Sequence, residues 1–451
     1  MAGANLIFYY KGEPVTEISS IRKCWQEYYD NSDGEENGFC MVTGQKAHIA
    51  ALHPVIKNVY GAQAMGTSLV SFNAPAFCSY GKEQGNNASV GEYAAAAYGA
   101  ALNYLLNDRE HTRTVGDTTV VCWVDGGEEI YQDISIAAMF GAGEEEGITD
   151  QELSAIFDAV RKGNPVGLKE EMLKTDKRFY VLGVAPNAAR LSVRFFWQDS
   201  FGNMLKNISL HYERLEIVRP AFDDIEKLPL RRLLWETINQ NTRDKSASPQ
   251  MAADTLRAIL TDGRYPASLL NGVMLRIRAE KKVTRGRAAV LKAYYLKNKH
   301  TECEEGILQM GLNEESDNVP YRLGRLFAVL EHIQQEANRG KATNHRQAGR
   351  VLEHIQQEAN PNINATIKDK YFNSAAAAPA LVFPLLLSLA QKHLRKLTDE
   401  GSRITFNRRM QGIVEGLGEM FPARMTLPQQ GSFYLGYYHQ TQKRYQKKEE
   451  K

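Results

Sequence analysis

The stretch GAQAMGTSLVSFNAPAFCSYGKEQGNNASVGEYAAAAYGAALNYLL, from Gly61 to Leu106, places a strand, a glycine-rich loop and a helix in immediate succession. The strand-like run Thr67 to Phe72 leads into the loop. Ser89 and Glu92 then stand at the S-x-x-E spacing, in which the hydroxyl and the carboxylate each cap a backbone N–H group. We therefore expect a helix to begin there. Because it is almost all Ala, Tyr and Leu, we expect it to pack on several sides.

The loop between the strand and the helix contains Gly81, Gly85 and one cation. Backbone N–H groups at a helix N-terminus attract anions such as phosphate, and amide side chains recognise adenine edges. The same composition also fits a structural role, with glycines making turns and amides satisfying loop carbonyls. The spacing matches neither the P-loop nor the dinucleotide-binding fingerprint. Both interpretations stay open, and the candidate DNA contacts are Asn73, Lys82, Gln84, Asn86 and Asn87.

The length and the charge distribution of the chain restrict the number of domains and the kind of partner. A chain of 451 residues is too long for one ordinary core, so we expect two or three domains. The net charge is only +2, but residues 261–300 carry ten Lys and Arg residues against two acids. A solvated helix face is the usual explanation of a charge run, yet local i,i+4 pairs cannot balance this one. An external polyanion is the favoured partner, and the candidate contacts are Arg276, Arg278, Lys281, Lys282, Arg285 and Arg287.

No metal, cofactor or membrane partner is expected. The five cysteines form no C-x-x-C pair, which argues against zinc and disulfides and fits a reducing cytoplasm. His48 and His53 are five residues apart, and we favour one loop and one packed histidine over a metal pair. The N-terminus has no features of an export signal. The apolar run Ala375 to Ala390 is too short to cross a bilayer, so we predict a buried helix hairpin.

The middle of the chain mixes strands and helices. Thr118 to Val124 predicts a strand buried on both faces, and Thr149 to Arg161 an amphipathic helix. The runs RFYVLGVA, LSVRFFWQ and ISLHYERLEI predict antiparallel strands between Arg178 and Ile217. Phe195, Phe196 and Trp197 could stack RNA bases, but adjacent strand residues point to opposite faces. At least one or two of these aromatic side chains should therefore belong to the core.

After Pro220 the pattern is helical to the end, with helices over 228–243, 248–262 and 266–298. The fold class is therefore α+β, a mixed strand and helix N-terminal part followed by an all-α C-terminal helical bundle. We predict four regions. These are an α/β domain with the DNA-contact loop, a small helix with antiparallel strands, a basic helical region and the helical bundle, at residues 1–140, 141–220, 221–309 and 310–451.

The bundle region has two further features. VLEHIQQEAN occurs at Val329–Asn338 and again, identical, at Val351–Asn360. Solenoids need at least three drifting copies, so we expect a duplication in which Arg339 to Asn360 is inserted. The candidate DNA contacts on the polar faces of the bundle are Lys392, Arg395, Arg403, Arg408 and Arg409.

Signatures of catalysis are absent from the sequence. There is no H-E-x-x-H, no G-x-S-x-G, no acid cluster typical of two-metal nucleases and no helicase P-loop. We expect a binding protein without catalytic residues. The alternatives are a nucleic-acid-processing enzyme with an unrecognised site and a scaffold that contacts no nucleic acid.

Several segments of the sequence resemble those of one protein family. They are GQKAHIAALHPVIKNVYGAQ (44–63), SLVSFNAPAFCSYGKEQGNNASVGEYAA (68–95), GDTTVVCWV (116–124), VLGVAPNAARLSVRFF (181–196) and YRLGRLFAVLEHIQ (321–334). The family is the large subunit of the type I-C CRISPR surveillance complex, Cascade. The resemblance covers most of the chain from about Gly44 onward. Members carry a substantial extra N-terminal region, which we expect this chain to lack.

The resemblance implies a non-catalytic role in the cytoplasm of a prokaryote. Such subunits join the guide RNA-bound Cascade subunits, contact double-stranded target DNA at the protospacer-adjacent motif and help to open the duplex. Their C-terminal bundle holds the displaced single strand, and they recruit the helicase-nuclease, while the guide RNA reads the sequence. In this family the small subunit arises by internal translation. Met310, in a polar linker before the bundle, is either the start here or simply a buried residue of the linker, and the sequence favours neither.

Overall fold

A computed structural model describes residues 7–30, 37–141, 147–168, 171–243, 245–299, 303–345, 366–418 and 420–443. The strands in chain order are β1 (Tyr9–Tyr10), β2 (Glu13–Pro14), β3 (Asn37–Phe39), β4 (Lys46–His48), β5 (Val55–Ile56), β6 (Thr67–Ser68), β7 (Arg113–Val115), β8 (Thr118–Val124), β9 (Val166–Leu168), β10 (Glu171–Leu173), β11 (Arg178–Asn187) and β12 (Arg190–Ser200).

The helices are α1 (Ser19–Asp30), α2 (Glu92–Asn107), α3 (Glu129–Phe140), α4 (Asp150–Lys162), α5 (Phe201–Leu215), α6 (Leu230–Trp235), α7 (Pro249–Leu260), α8 (Ala267–Glu280), α9 (Arg285–Asn298), α10 (Val319–His345), α11 (Ile367–Ala377), α12 (Pro379–Leu394), α13 (Glu400–Val414) and α14 (Leu427–Lys443). A mixed sheet precedes an all-helical part, which confirms the α+β class.

Six strands form one sheet in the order β5-β6-β12-β11-β8-β7. β6 pairs antiparallel with β5 and parallel with β12, where Arg190 lies opposite Ser68. This register places Arg190 at the start of the loop that follows β6. The five residues of β8 that precede Trp123 are all buried, as its consecutive β-branched residues predict.

The chain divides into two compact units. The first comprises residues 1–122 and 182–196, and the second comprises residues 123–181 and 197–451. The four-region division predicted from the sequence stays a prediction.

In the first unit, α2 begins three residues later than Ser89, and its N-cap residue Gly91 makes no side-chain cap hydrogen bond. The Ser89 cap is wrong because residues 89–91 are extended and pair with the preceding segment. The carbonyl oxygen of Ser89 accepts from Met41 N–H at 2.7 Å, and that of Val90 accepts from Ala50 N–H at 2.9 Å. Backbone pairing therefore competes successfully with helix formation here.

Burial of α2 is confined to one face, so the expected packing on several sides is wrong. Ala94, Ala95, Gly99, Leu102 and Leu106 are buried. A Cβ atom at Gly99 would collide with the ring of Pro54, so this glycine permits close packing. Tyr93 and Tyr104, on the opposite face, are exposed. The predicted strand over 67–72 is also shorter, because the chain bends away after Ser68.

In the second unit, the strand predicted over ISLHYERLEI is wrong, since these residues belong mainly to α5. Ser200 caps this helix by accepting from Asn203 N–H at 3.2 Å. The buried residues recur at helical spacing, which the strand interpretation overlooked. They are Phe201, Met204, Leu205, Ile208, Tyr212 and Leu215.

Two other predictions for the middle of the chain are confirmed. The helix α4 begins with a capping box between Thr149 and Glu152. Of the three adjacent aromatic residues on β12, Phe195 and Trp197 are buried and Phe196 is 55% exposed. Core packing therefore accounts for two of the three side chains.

The helical region follows the predicted periodicity with local differences. The helix predicted over 228–243 is reduced to α6, after which turns begin at Glu236. The stripe of Leu323, Phe327, Leu330 and Ile333 on α10 is buried. In α14, every residue from Gln430 to Gln440 is buried, because this helix packs on both α10 and α9.

The apolar run 375–390 is divided between α11 and α12 by Ala378 and Pro379. Leu381 is exposed, so the run is only partly buried. None of the described helices is both long enough and apolar enough to cross a membrane. The second copy of VLEHIQQEAN, with most of the predicted insertion, lies outside the described residues.

Candidate nucleic-acid interface

The loop of residues 73–87 is held in shape by Asn87. Its side-chain oxygen accepts from Ser79 N–H at 2.9 Å, and its amide nitrogen donates to the carbonyl oxygens of Gln84 at 3.0 Å and Lys82 at 3.1 Å. All three bonds stay within the loop. The Asn87 side chain is therefore engaged by the loop backbone, as the structural interpretation of the amides predicts.

Two glycines allow the loop to fold back on itself. Gly81 has φ +71°, and Gly85 is buried so close to Ala50 that an added Cβ atom would collide with the Ala50 carbonyl oxygen. Gly85 N–H also donates to the carbonyl oxygen of Ala51 at 2.9 Å. These contacts seat the end of the loop on the 50–53 segment.

The tip of the loop presents Tyr80, Lys82 and Gln84 to solvent. Tyr80 is 99% exposed and has φ +55°, and Gln84 has φ +44°. Positive φ values are unfavourable for residues with a Cβ atom and are frequent at functional sites. Tyr80 was not among the candidates from the sequence. In the sequence it is one of two aromatic residues of the loop, beside Gly81.

A second anchor joins the loop to β12. The guanidinium of Arg190 donates to Asn73 Oδ1 and stacks on Phe77, with its central carbon 4.0 Å from the ring centroid. Such cation–π contacts orient the guanidinium. Asn73 is thus exposed but already bonded within the first unit, and Asn86 is half-buried.

A cavity of about 630 Å³ lies beside the loop. Asn73, Lys82 and Gln84, three of the five loop candidates, line it together with Ala51, Leu52, His53, Ser68, Val70, Ser71, Phe72, Ala74, Pro75, Cys78, Gly81, Glu83 and Gly85. Hydroxyl, amide, carboxylate and imidazole groups therefore share the wall with apolar side chains. This composition is typical of ligand pockets.

His53 is a packed residue at the base of this cavity. It is only 8% exposed, and its Nδ1 is 2.7 Å from the Tyr98 hydroxyl. Nε2 has no hydrogen-bond partner among the residues that the structure describes. Burial lowers the pKa of His53, so the imidazole is neutral near pH 7. Among the described residues, no group of three potential ligands is placed to hold a metal ion.

The basic residues of α8 and α9 have partners within the second unit. Arg287 is 3% exposed and forms ion pairs with Glu280 at 2.6 Å and Glu236 at 3.3 Å. Arg285 is paired with Asp223 at 3.1 Å and also donates to the carbonyl oxygen of Glu226 at 2.7 Å. Two of these acids are remote in the sequence, which is why local pairing could not reveal them.

The other candidates of this series differ in exposure. Arg278 donates to Gln430 Oε1 at 2.7 Å, and Arg276 lies 3.8 Å from Glu280. Lys281 donates to the carbonyl oxygen of Asp369, whereas Lys282 is exposed. The arginines thus have partners within the second unit, and their role as DNA contacts stays a prediction.

Most candidate cations of the bundle are exposed. Lys392 lies on α12, Arg395 directly follows it, and Arg408 and Arg409 lie on α13. Arg403 is half-buried and paired with Glu400 at 3.0 Å. The exposed cations of α12 and α13 are therefore more accessible to phosphate than the arginines of α8 and α9.

Sequence comparison identifies the class of protein to which this α+β chain belongs. The model of the family described as CRISPR-associated protein (Cas_Csd1) matches residues 1–350 and 346–445. The chain therefore belongs to this family, which provides the large subunit of Cascade. No curated protein matches it. The two matched segments meet beside the second copy of VLEHIQQEAN, although the predicted insertion itself stays a prediction.

Proposed function

We propose that the chain is the non-catalytic large subunit of a type I-C Cascade in a prokaryotic cytoplasm, and that its 73–87 loop contacts target DNA at the protospacer-adjacent motif. The observation that carries this proposal is the presentation of Lys82 and Gln84 by a loop whose shape is fixed from within by Asn87. An exposed ammonium suits phosphate, and an exposed amide suits a base edge. Asn87, by contrast, supports the loop.

The second part of the proposal assigns the displaced strand to the bundle. Lys392 on α12, Arg395 at its end and Arg408 on α13 are exposed and supply positive charge without base-specific geometry. Such a surface binds a single strand through its phosphates, whatever its sequence. The arginines of α8 and α9 contribute less, since carboxylates, carbonyl oxygens or an amide of the second unit already engage their guanidinium groups.

The third part concerns protein partners. Large apolar side chains of the first unit are exposed, among them Phe8, Met41 and Met65. Exposed apolar surface of this kind supports contacts with other proteins. These contacts comprise the guide RNA-bound subunits and the helicase-nuclease that the assembled complex recruits.

The proposal is tested on the complex assembled with its guide RNA. Affinity for duplexes with the correct and with altered motifs is measured for the wild type and for Gln84→Ala. We expect the variant to lose about 1–3 kcal/mol of discrimination between the two motifs. Equal discrimination by both proteins would reject base reading by Gln84. Turnover of DNA on addition of magnesium, abolished by a single substitution, would reject the non-catalytic assignment.

A further inference from the structure

The cavity beside the 73–87 loop has a shape that the proposed contact with duplex DNA leaves unexplained. Its volume of about 630 Å³ lies within the range of pockets that enclose small molecules, about 300–1,000 Å³. A stacked base pair cannot enter such a space, because each base is held between its neighbours in the helix. One base that leaves the stack can enter it.

We infer that this cavity receives a single nucleobase swung out of the DNA at or beside the motif. The inference rests on the proposed function, because Asn73, Lys82 and Gln84 line the cavity as well as belonging to the loop proposed to contact DNA. The ligand class is therefore a nucleobase with its attached sugar and phosphate.

The lining supplies the two kinds of contact that a single base needs. Leu52, Val70, Phe72 and Pro75 provide apolar surface for the faces of the ring. The polar edge of a base presents donors and acceptors together, and its exocyclic amines donate to carboxylates and amide oxygens. Acceptors and donors in the lining are offered by Glu83, Gln84, Ser68 and Ser71.

His53 shapes this wall rather than binding the base. Its side chain is more than nine-tenths buried, one ring nitrogen is engaged by Tyr98, and the other is buried away from solvent. The hydrogen bonds to a base must therefore come from the more accessible polar residues of the lining, among them Gln84 and Glu83.

Residues around the cavity can contact the phosphates of the nucleotide and the neighbouring base pair. Lys82 is exposed at the mouth of the cavity, where an ammonium attracts the phosphates on either side of the base. Tyr80, at the loop tip, is exposed and held at a positive φ value. Its ring is free to stack on the base pair next to the gap, as aromatic side chains do with unstacked bases.

The experiment uses the assembled complex and a duplex with the correct motif but a protospacer unrelated to the guide, so that guide pairing does not separate the strands. Single 2-aminopurine or pyrrolocytosine reporters are placed in turn at each position of the motif and its flanks. The fluorescence of one reporter should rise several-fold on binding, because its base leaves the stack. A mismatch at that same position should tighten binding by about tenfold, since part of the unpairing has already occurred.

Two substitutions provide a matched test of the cavity. Ala74→Leu places the larger side chain at a residue that lines the cavity, whereas Ala76→Leu makes the same change at an exposed position of the same turn outside it. Ala74→Leu should abolish both the fluorescence rise and the preference for the mismatch, and Ala76→Leu should retain them. Ser71→Leu fills the cavity from a different position and should behave as Ala74→Leu does.

The failure of this inference is distinguishable from the failure of the proposed function. Motif-dependent binding without any fluorescence rise would overturn the inference and leave the proposed function intact. Loss of other Cascade subunits from the Ala74→Leu and Ser71→Leu complexes would overturn it in favour of a protein side chain as the occupant. Absence of DNA binding by the wild-type complex would overturn both.

Discussion

In the loop of residues 73–87, Lys82 and Gln84 face solvent, whereas in the helix pair α8–α9, Arg285 and Arg287 are held by groups from other parts of the second unit. The loop contains one lysine, whereas residues 261–300, which include α8 and α9, contain ten Lys and Arg residues. The region with fewer charges nevertheless presents its charge more openly. The number of cations in a segment therefore says less about nucleic-acid binding than the location of their partners does.

The physical reason is that acids from a distant part of the chain neutralise a basic helix as effectively as neighbours do. Glu236 and Asp223 reach Arg287 and Arg285 across more than fifty residues of sequence. If a guanidinium buried in such a pair left it to bind phosphate, the carboxylate would stay behind unpaired in a poorly solvated site, which is unfavourable. The predictions below test this contrast, starting with the largest expected effect.

Replacing Arg287 with Ala should destabilise the folded chain by about 3–5 kcal/mol, because Glu236 and Glu280 would lose a buried partner. Chemical denaturation of the purified chain measures this change. Lys282→Ala is the control from the same segment, since this side chain is exposed, and its effect should stay within about 0.5 kcal/mol. Unchanged stability of Arg287→Ala combined with weaker DNA binding would restore Arg287 as a phosphate contact.

Two buried histidines in the second unit also predict that stability depends on pH. Burial, with a further contribution from Arg214, lowers the pKa of His211 to about 3, and burial together with Lys292 lowers that of His439 to about 3. The unfolded chain, with histidine pKa values near 6.5, binds more protons between these limits, so stability falls as the pH falls from 6.5 towards 3. At pH 5 the expected loss is about 2 kcal/mol for each histidine.

Unfolding midpoints at pH 7 and pH 5 test this prediction. His439→Gln should show a smaller loss between the two pH values than the wild type, whatever its stability at pH 7, because one titrating group has been removed. Identical pH dependence in both proteins would show that His439 is not the group responsible.

The sequence predicts the regular parts of this molecule well because their signals are local. The amphipathic pattern of α4, the buried run of β8 and the apolar stripe of α10 each lie within the element that they predict. The errors arise where distant segments compete. Residues 89–91 pair with residues 41–50 instead of starting α2, and the loop amide of Asn87 binds backbone rather than solvent.

In the candidate site, too, the sequence predicts the local features but not those that depend on distant contacts. The loop was recognisable from its glycines and amides, but the sequence could not distinguish the supporting Asn87 from the exposed Gln84. Arg190 and His53 lie far from the loop in sequence and meet it only through the sheet register and the 50–53 segment. Tyr80 became a candidate only through its exposure and its positive φ value.

The division between Asn87 and Gln84 predicts two separable variants. Asn87→Ala removes three hydrogen bonds, so the amide of Ser79, which donates to Asn87, should exchange with deuterium at least about tenfold faster. Gln84→Ala should leave this exchange unchanged and reduce only motif discrimination. Equal exchange rates in the wild type and Asn87→Ala would show that the loop keeps its shape by other contacts.

The contrast between accessible and engaged cations is tested by salt dependence. Replacing Lys392, Arg395 and Arg408 with Gln should lower the slope of log affinity against log salt by roughly 0.7 for each lost single-strand phosphate contact, or about 2 in total. The same number of substitutions at Arg276, Arg278 and Arg285 should leave the slope unchanged. If the second set lowers the slope as much as the first, the guanidinium groups of α8 and α9 leave their partners to bind DNA.

The smallest expected effect belongs to Lys82, the only cation of the loop. Lys82→Gln should lower the salt slope for duplex binding by about 0.9, because a single phosphate contact is lost. Its effect should be the same for correct and altered motifs, since phosphate contacts carry no direct sequence information. Binding curves at several salt concentrations, with both motifs and with Lys57→Gln as an exposed lysine outside the loop, measure this effect. A loss confined to the correct motif would mean that Lys82 contacts a base, and the division of the loop into a phosphate-binding lysine and a base-reading glutamine would then be wrong.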